Sequence, residues 1–303
     1  MKSFNLPKSV KIVEVGPRDG LQNEKEPVPL EVKIDLVNRL SKAGFQNIEA
    51  AAFVSPKWTP QMANSEDLMQ RIERRAGTVY SALTPNMQGY DRALKSHSSE
   101  VVIFTAATQA FAQKNINCSI EESIQRYIPV AQAAKRDGLR LRGSISCALG
   151  CPYQGPVSSK EVVQVVKQMM DLGCDEIDIA DTIGVGTAAQ VQEVFESIFS
   201  FAQPSMFSGH FHDTYGQSLA NIFAALQTGV AIFHSSVAGL GGCPYARGAT
   251  GNVATEDVLY LLEGLGIHTG ISLQEVVDIG DFISTAIHKP NGSRVGRAIL
   301  AKR

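Results

Sequence analysis

The feature that most constrains this chain is the regular return of short β-type runs between segments of helical period. The runs fall at residues 11–15, 46–52, 78–83, 101–107, 139–147, 175–180, 207–212 and 230–237, eight in all. Between them, Val162, Val163, Val166, Met169 and Met170, and then Val191, Val194, Phe195, Ile198 and Phe199, repeat at the i, i+3/i+4, i+7 spacing of a helix that buries one face. Ser119 with Glu122 and Ser158 with Glu161 have capping-box spacing ahead of such segments, which predicts helix starts there. Strands that alternate with helices run parallel, and eight units are the number that closes a cylinder. The expected fold is therefore α/β, a (β/α)8 TIM barrel over about residues 10–267. A C-terminal helical extension follows over about 268–303, with its helical pattern at 272–287 and a tail containing Gly and Arg. No Pro, Gly or Ser linker divides the chain, so residues 1–303 are read as one catalytic domain.

Composition narrows the function classes. At 44% hydrophobic and 19% charged, the chain has the apolar mass for a large core, which excludes an intrinsically disordered protein. A formal charge of -2 with no run of either sign argues against an electrostatic grip on nucleic acid or anionic lipid and favours a small-molecule partner. The five cysteines form no CxxC pair, so neither a disulfide framework nor a zinc ribbon is expected. No apolar span or presequence pattern is visible, and a cytoplasmic protein with no membrane contact is the expectation.

In such a barrel, chemistry gathers at the carboxyl ends of the strands. The first run leads into Arg18-Asp19-Gly20, the second contains Glu49, the sixth leads to Asp181, the seventh ends in His210-Phe-His212, and the eighth opens into a loop with glycines at 239, 241, 242, 248 and 251 around Cys243. Two residues apart in a strand, His210 and His212 share a face. With Asp19 on the neighbouring first strand and Asn252 after the eighth, they form a set of imidazole and oxygen donors. That set suits octahedral Mg²⁺ or Mn²⁺ better than tetrahedral zinc. The plainer alternative for His-x-His is a hydrogen-bonded pair inside a strand, and for Arg18-Asp19 a surface ion pair. Glu49, among Ala50, Ala51 and Ala52, needs a cationic partner, and Arg18 is the evident one. Cys243, on a flexible polar loop, is a candidate proton donor; Cys118, Cys147, Cys151 and Cys174 are read as small buried hydrophobes. Gly184-Val-Gly186-Thr-Ala-Ala189 matches a dinucleotide fingerprint, but its place in the sixth unit of a barrel argues against nucleotide binding.

EVGPRDGLQNEK (14–25), FVSPKWTPQMA (53–63), NINCSIEES (115–123), SCALGCPY (146–153), DTIGVGT (181–187), HFHDTYGQSLAN (210–221) and VAGLGGCPYARGATGNVATEDV (237–258) together resemble the 3-hydroxy-3-methylglutaryl-CoA lyases. The resemblance runs in order through most of the chain. It implies a TIM barrel, a divalent cation held by Asp19, His210, His212 and Asn252, and reacting carbons surrounded by Arg18, Glu49, Asp181, His210 and Cys243. Lys25 matches the family lysine expected to face the anionic part of coenzyme A, and a homodimer is expected on the same ground. The implied activity is metal-dependent retro-Claisen cleavage of an acyl-CoA to acetyl-CoA and acetoacetate. The alternatives are a condensing enzyme of the isopropylmalate or homocitrate synthase kind, a lyase for a longer-branched 3-hydroxyglutaryl-CoA, or a noncatalytic acyl-CoA sensor. The chain departs from the family at Ala51, Ala52, Asp178, Ala180 and His234, changes expected to bear on the acyl branch.

Overall fold

The computed structural model describes residues 6–242 and 251–303. Eight parallel strands, β1 (Lys11–Glu14), β2 (Asn47–Ala52), β3 (Val79–Leu83), β4 (Glu100–Ala106), β5 (Arg140–Ser146), β6 (Glu176–Asp181), β7 (Phe207–Phe211) and β8 (Ile232–Ser235), pair in chain order, and β8 pairs back onto β1 to close the barrel. All eight lie within the expected runs to one or two residues at each end. The helices are α1 (Leu30–Lys42), α2 (Ser65–Arg71), α3 (Met87–Lys95), α4 (Gln109–Ile116), α5 (Ile120–Asp137), α6 (Ser159–Asp171), α7 (Ala188–Phe199), α8 (Ser218–Thr228), α9 (Thr255–Gly264), α10 (Leu273–Ala286) and α11 (Arg294–Leu300). Both expected capping boxes form, and Thr187 with Gln190 makes a third at the start of α7. The apolar stripe of α6, Val162, Val165, Val166 and Met169, is buried, as is that of α7, Val191, Val194, Phe195 and Ile198. Among the described residues, no helix is long and apolar enough to cross a membrane.

The C-terminal residues are woven into the barrel. His268 bonds to the first strand's approach at both ends, its N–H to Lys8 O (3.0 Å) and its carbonyl from Val10 N (2.9 Å). Helix α10 packs against α1 and α9, filling the helical ring where the chain would otherwise leave a gap. The tail forms α11, anchored at Asp257: its carboxylate accepts from Ser293 Oγ (2.7 Å), Val295 N (2.8 Å) and Arg294 N (3.3 Å).

Two buried carboxylates hold the exit of β8. Glu14 accepts from Gly16 N, Val237 N and Thr255 Oγ1, tying β1 to the loop after β8. Glu256 accepts from Ala238 N with both oxygens, at 3.0 Å. Burial, opposed only in part by these bonds, raises Glu14 to about 7 and Glu256 to about 8 from the ordinary 4.5. A carboxyl whose folded-state pKa is raised binds more protons folded than unfolded, so its contribution to stability is present below 4.5 and is lost as pH rises through the raised value. Glu256→Gln is expected to match the wild type at pH 5 and to become the more stable of the two by pH 8, read by urea denaturation at both pH values.

Candidate active site

The barrel interior is unusual in being polar. Parallel barrels are normally filled by layers of Val, Ile and Leu, but here Glu49 (β2), Ser81 (β3), Glu100 (β4), Arg142 (β5), Glu176 and Asp178 (β6), and His234 (β8) are all buried. Arg142 is 0% exposed. Its Nη2 donates to Glu49 Oε2 (2.5 Å) and its Nε pairs with Glu100 Oε1 (3.3 Å). The other oxygen of Glu49 accepts from Arg18 Nε. Glu49 thus has the cationic partner expected of it and a second one, Arg142, that was not anticipated. Burial alone would raise the Glu49 carboxyl, yet the two guanidinia hold it below its ordinary value.

Arg18 sits on a π-helical turn, Gly16–Gly20, in which the N–H groups of Arg18, Asp19 and Gly20 all point at Val15 O (3.2, 2.8 and 3.1 Å). This turn replaces the ordinary tight turn of a β-strand end and swings both charged side chains over the barrel mouth. Arg18 Nη1 donates to Asp19 Oδ1 (2.7 Å), which leaves Nη2 without a partner among the described residues. Asp19 Oδ2 faces His210 Nε2 and His212 Nε2, each at 3.9 Å. Burial would raise the Asp19 carboxyl, but Arg18 and the two histidines outweigh it and hold it well below the usual range. Burial keeps His210 neutral, well below its ordinary value, against the pull of Asp19.

The donor set fits a divalent cation. A separation of 3.9 Å is too long for a hydrogen bond, but two ligands of one Mg²⁺, each at about 2.0–2.1 Å, lie roughly 3–4 Å apart. Ligating atoms of Asp19, His210 and His212 all fall within 4.8 Å of one another. Two buried polar atoms beside them, His212 Nδ1 and Asn252 Oδ1, have no hydrogen-bond partner among the described residues. Asn252 meets the group across an antiparallel bridge to His212, but it turns its amide nitrogen to Asp19 Oδ2 (2.8 Å) and to Leu240 O (3.3 Å). To serve as the expected oxygen ligand it must rotate about its last torsion.

Other expected site residues lie as follows. Asp181 is buried, and its carboxylate accepts from Val185 N (3.1 Å) and Gly186 N (2.8 Å). A Cβ on Gly186 would stand 2.8 Å from Asp181 Oδ2, so the glycines of the dinucleotide-like motif serve this internal anion. Lys25 is exposed and Cys243 lies outside the described residues. The segment carrying Cys243 leaves and returns between Gly241 and Gly251, whose backbones come so close that a Cβ on Gly251 would stand 2.8 Å from Gly241 O. That neck adjoins Asn252, so the described residues on either side of the Cys243 segment sit beside the donor set. A cleft of about 490 Å³, lined by Asp213, Thr214, Asn252, Asp257 and Arg294, opens on the same side. All five departures, Ala51, Ala52, Asp178, Ala180 and His234, are buried, and the two polar ones, Asp178 and His234, face each other at 3.8 Å beneath the mouth.

The HMGL-like family matches residues 9–283. The chain belongs to that family. It is 55% identical over 299 residues to the 3-hydroxy-3-isohexenylglutaryl-CoA/hydroxy-methylglutaryl-CoA lyase of Pseudomonas aeruginosa, covering 99% of this chain and 100% of that one. The mitochondrial hydroxymethylglutaryl-CoA lyase of Rattus norvegicus is 53% identical, with 97% and 90% covered. The crystal structure of hydroxymethylglutaryl-CoA lyase from Pseudomonas aeruginosa superposes with a TM-score of 0.97 at 55% identity, over 99% of this chain and 100% of that one. That enzyme therefore shares the barrel fold of this chain.

Sequence reasoning missed Arg142, Glu100 and Glu176. The available signal was the alternation of polar residues within strands: Arg140, Arg142, Ser144 on β5 and Glu176, Asp178 on β6. On an open sheet that alternation marks a solvated face; in a barrel with helices outside, it must point inward. Removing one partner of a buried pair leaves an uncompensated charge, so Arg142→Met is expected to destabilise the protein by about 3–5 kcal/mol, read by urea denaturation.

Proposed function

We propose that the protein is a divalent-cation-dependent carbon–carbon lyase that cleaves 3-hydroxy-3-methylglutaryl-CoA to acetyl-CoA and acetoacetate. The observation that carries this is the convergence of Asp19, His210 and His212 beside a guanidinium whose Nη2 has no partner among the described residues, in a chain more than half identical to a lyase of that name over its full length. In the reaction the tertiary hydroxyl loses its proton, the C2–C3 bond breaks as the C3 carbonyl forms, and the electron pair passes to the thioester enolate. The enolate is then protonated at C2.

Asp19, His210, His212 and a rotated Asn252 would hold the cation, which would supply Lewis acidity to the substrate. Arg18 Nη2, held in place by Glu49 on Nε and Asp19 on Nη1, donates to the thioester oxygen as its negative charge develops. Asp19 takes the hydroxyl proton, because each of its oxygens has lone pairs to spare, whereas a neutral imidazole that ligates through Nε2 has none left there. Cys243, in the segment between Gly241 and Gly251, returns a proton to the acetyl carbon. Asp181 holds the loop after β6 through Val185 and Gly186 and so supports the strand next to His210. Lys25, exposed beyond the π-helical turn, meets the anionic part of coenzyme A.

A longer branch at C3 is the second reading, favoured by the isohexenyl compound in the Pseudomonas relative's name. The deciding experiment is release of acetyl-CoA, the product both substrates share, from 3-hydroxy-3-methylglutaryl-CoA and from the longer-branched thioester, with acetoacetate as the second product of the first and a longer 3-oxo acid as that of the second. Exhaustive chelation should abolish turnover and Mg²⁺ or Mn²⁺ restore it; full activity in verified metal-free protein would end the metal reading. Arg18→Gln should lower kcat by about 10²–10³ with little change in KM, and a near wild-type kcat would remove Arg18 from the chemistry.

A further inference from the structure

His210 has a polar neighbour at each of its ring nitrogens. Nε2 faces Asp19, and Nδ1 lies 3.3 Å from Nδ1 of His234, its register partner on β8. The rings meet edge-on, with planes 69° apart and centroids 5.3 Å apart. The contact is therefore an N–H against a lone pair and not a stack. Only one hydrogen fits between two ring nitrogens that face each other in this way, so one ring is the donor and the other the acceptor.

The surroundings of His234 decide which. Its Nε2 lies 3.3 Å from Oε1 of Glu176, a carboxylate paired with Lys11 at 2.6 Å. A carboxylate only accepts, so His234 Nε2 carries the hydrogen and Nδ1 is left with its lone pair. Arg142 Nη1 stands 3.1 Å from Nε2 and 3.5 Å from Nδ1. A nitrogen so close to both cannot lie in the ring plane without colliding with the carbon between them. It rests over the ring face and takes neither in-plane position.

We propose that His234 is a positioning residue that accepts the Nδ1 hydrogen of His210 and so fixes the tautomer in which His210 Nε2 offers its lone pair to a divalent cation. The proposal rests on the metal reading given above. It extends the metal's support from His210 through His234 to Glu176 and Lys11 at the opposite end of the barrel. Asp178, His210 and His234 also cluster within ligating distance of one another, but the guanidinium over the His234 ring places a permanent cation there. That trio is a support for the upper site and not a second cation site.

The test is Mn²⁺ binding to metal-stripped protein, followed through the EPR signal of free Mn²⁺, for wild type, His234→Ala and His234→Asn, with circular dichroism to verify folding. His234→Ala should weaken Mn²⁺ about 10–100-fold, the usual cost of losing the partner of a ligating histidine. His234→Asn, whose Oδ1 still accepts, should recover most of the loss. In metal-free wild type, the ¹⁵N shifts of His210, assigned by their loss in His210→Gln, should report a protonated Nδ1 and an unprotonated Nε2. A folded His234→Ala protein that binds Mn²⁺ like the wild type overturns the proposal, and so does a protonated Nε2 on His210. The ¹⁵N reading needs no variant at position 234 to fold. Failure of the wild type itself to bind Mn²⁺ would instead bring down the metal reading, and this proposal with it.

Discussion

The rest of the structure depends on Glu49 being shared between two guanidinia. An ionised carboxylate inside an apolar cylinder is costly unless it is paired and hydrogen-bonded. Here one oxygen serves Arg18 above and the other Arg142 below. Arg142 in turn needs Glu100, and it lies against His234, which reaches Glu176. The interior is thus a column of alternating charge, and the side chain at its top, Arg18, inherits a fixed direction from charges far below it. Catalytic electrostatics of this kind act through donors already aimed at where charge will develop, so that little reorganisation accompanies the reaction. A barrel filled with Val and Leu would be simpler to stabilise but would leave Arg18 free to turn.

The mouth is built by chain closure from elements distant in sequence. Asp19 comes from the turn after β1, His210 and His212 from β7 and its end, Asn252 from the loop after β8. They meet because β8 pairs with β1 and β7 with β8. Glu14 and Glu256 hold the exit of β8, Asp257 fastens the tail, and α10 completes the ring of helices beside α1. The C-terminal segment, expected as an extension of the barrel, therefore helps to hold the exit of β8.

Much of this was legible in the residues. The eight strands, the capping boxes at Ser119 and Ser158, and the convergence of Asp19, His210, His212 and Asn252 follow from periodicity and from where polar residues fall at strand ends. The π-helical turn at Gly16–Gly20 was not legible, because Gly-Pro-Arg-Asp-Gly reads equally well as a tight turn and only three N–H groups meeting at one carbonyl distinguish it. Arg142 was hidden for a different reason. A charged residue in a strand is ordinarily a residue facing water, and only closure of the sheet turns that face inward.

Periodicity and spacing alone determined the class of fold, the order of its strands and the kind of atoms available for chemistry, because all three are set by local pattern: the two-residue repeat, the helical repeat and the donor type of each side chain. The tertiary structure decided which atoms point at which. That Asp19 lies 3.9 Å from two imidazole nitrogens, that Asn252 offers its nitrogen, and that Asp181 is spent on its own loop follow from strand register and closure. Register relates residues more than two hundred positions apart, and no local pattern carries that information.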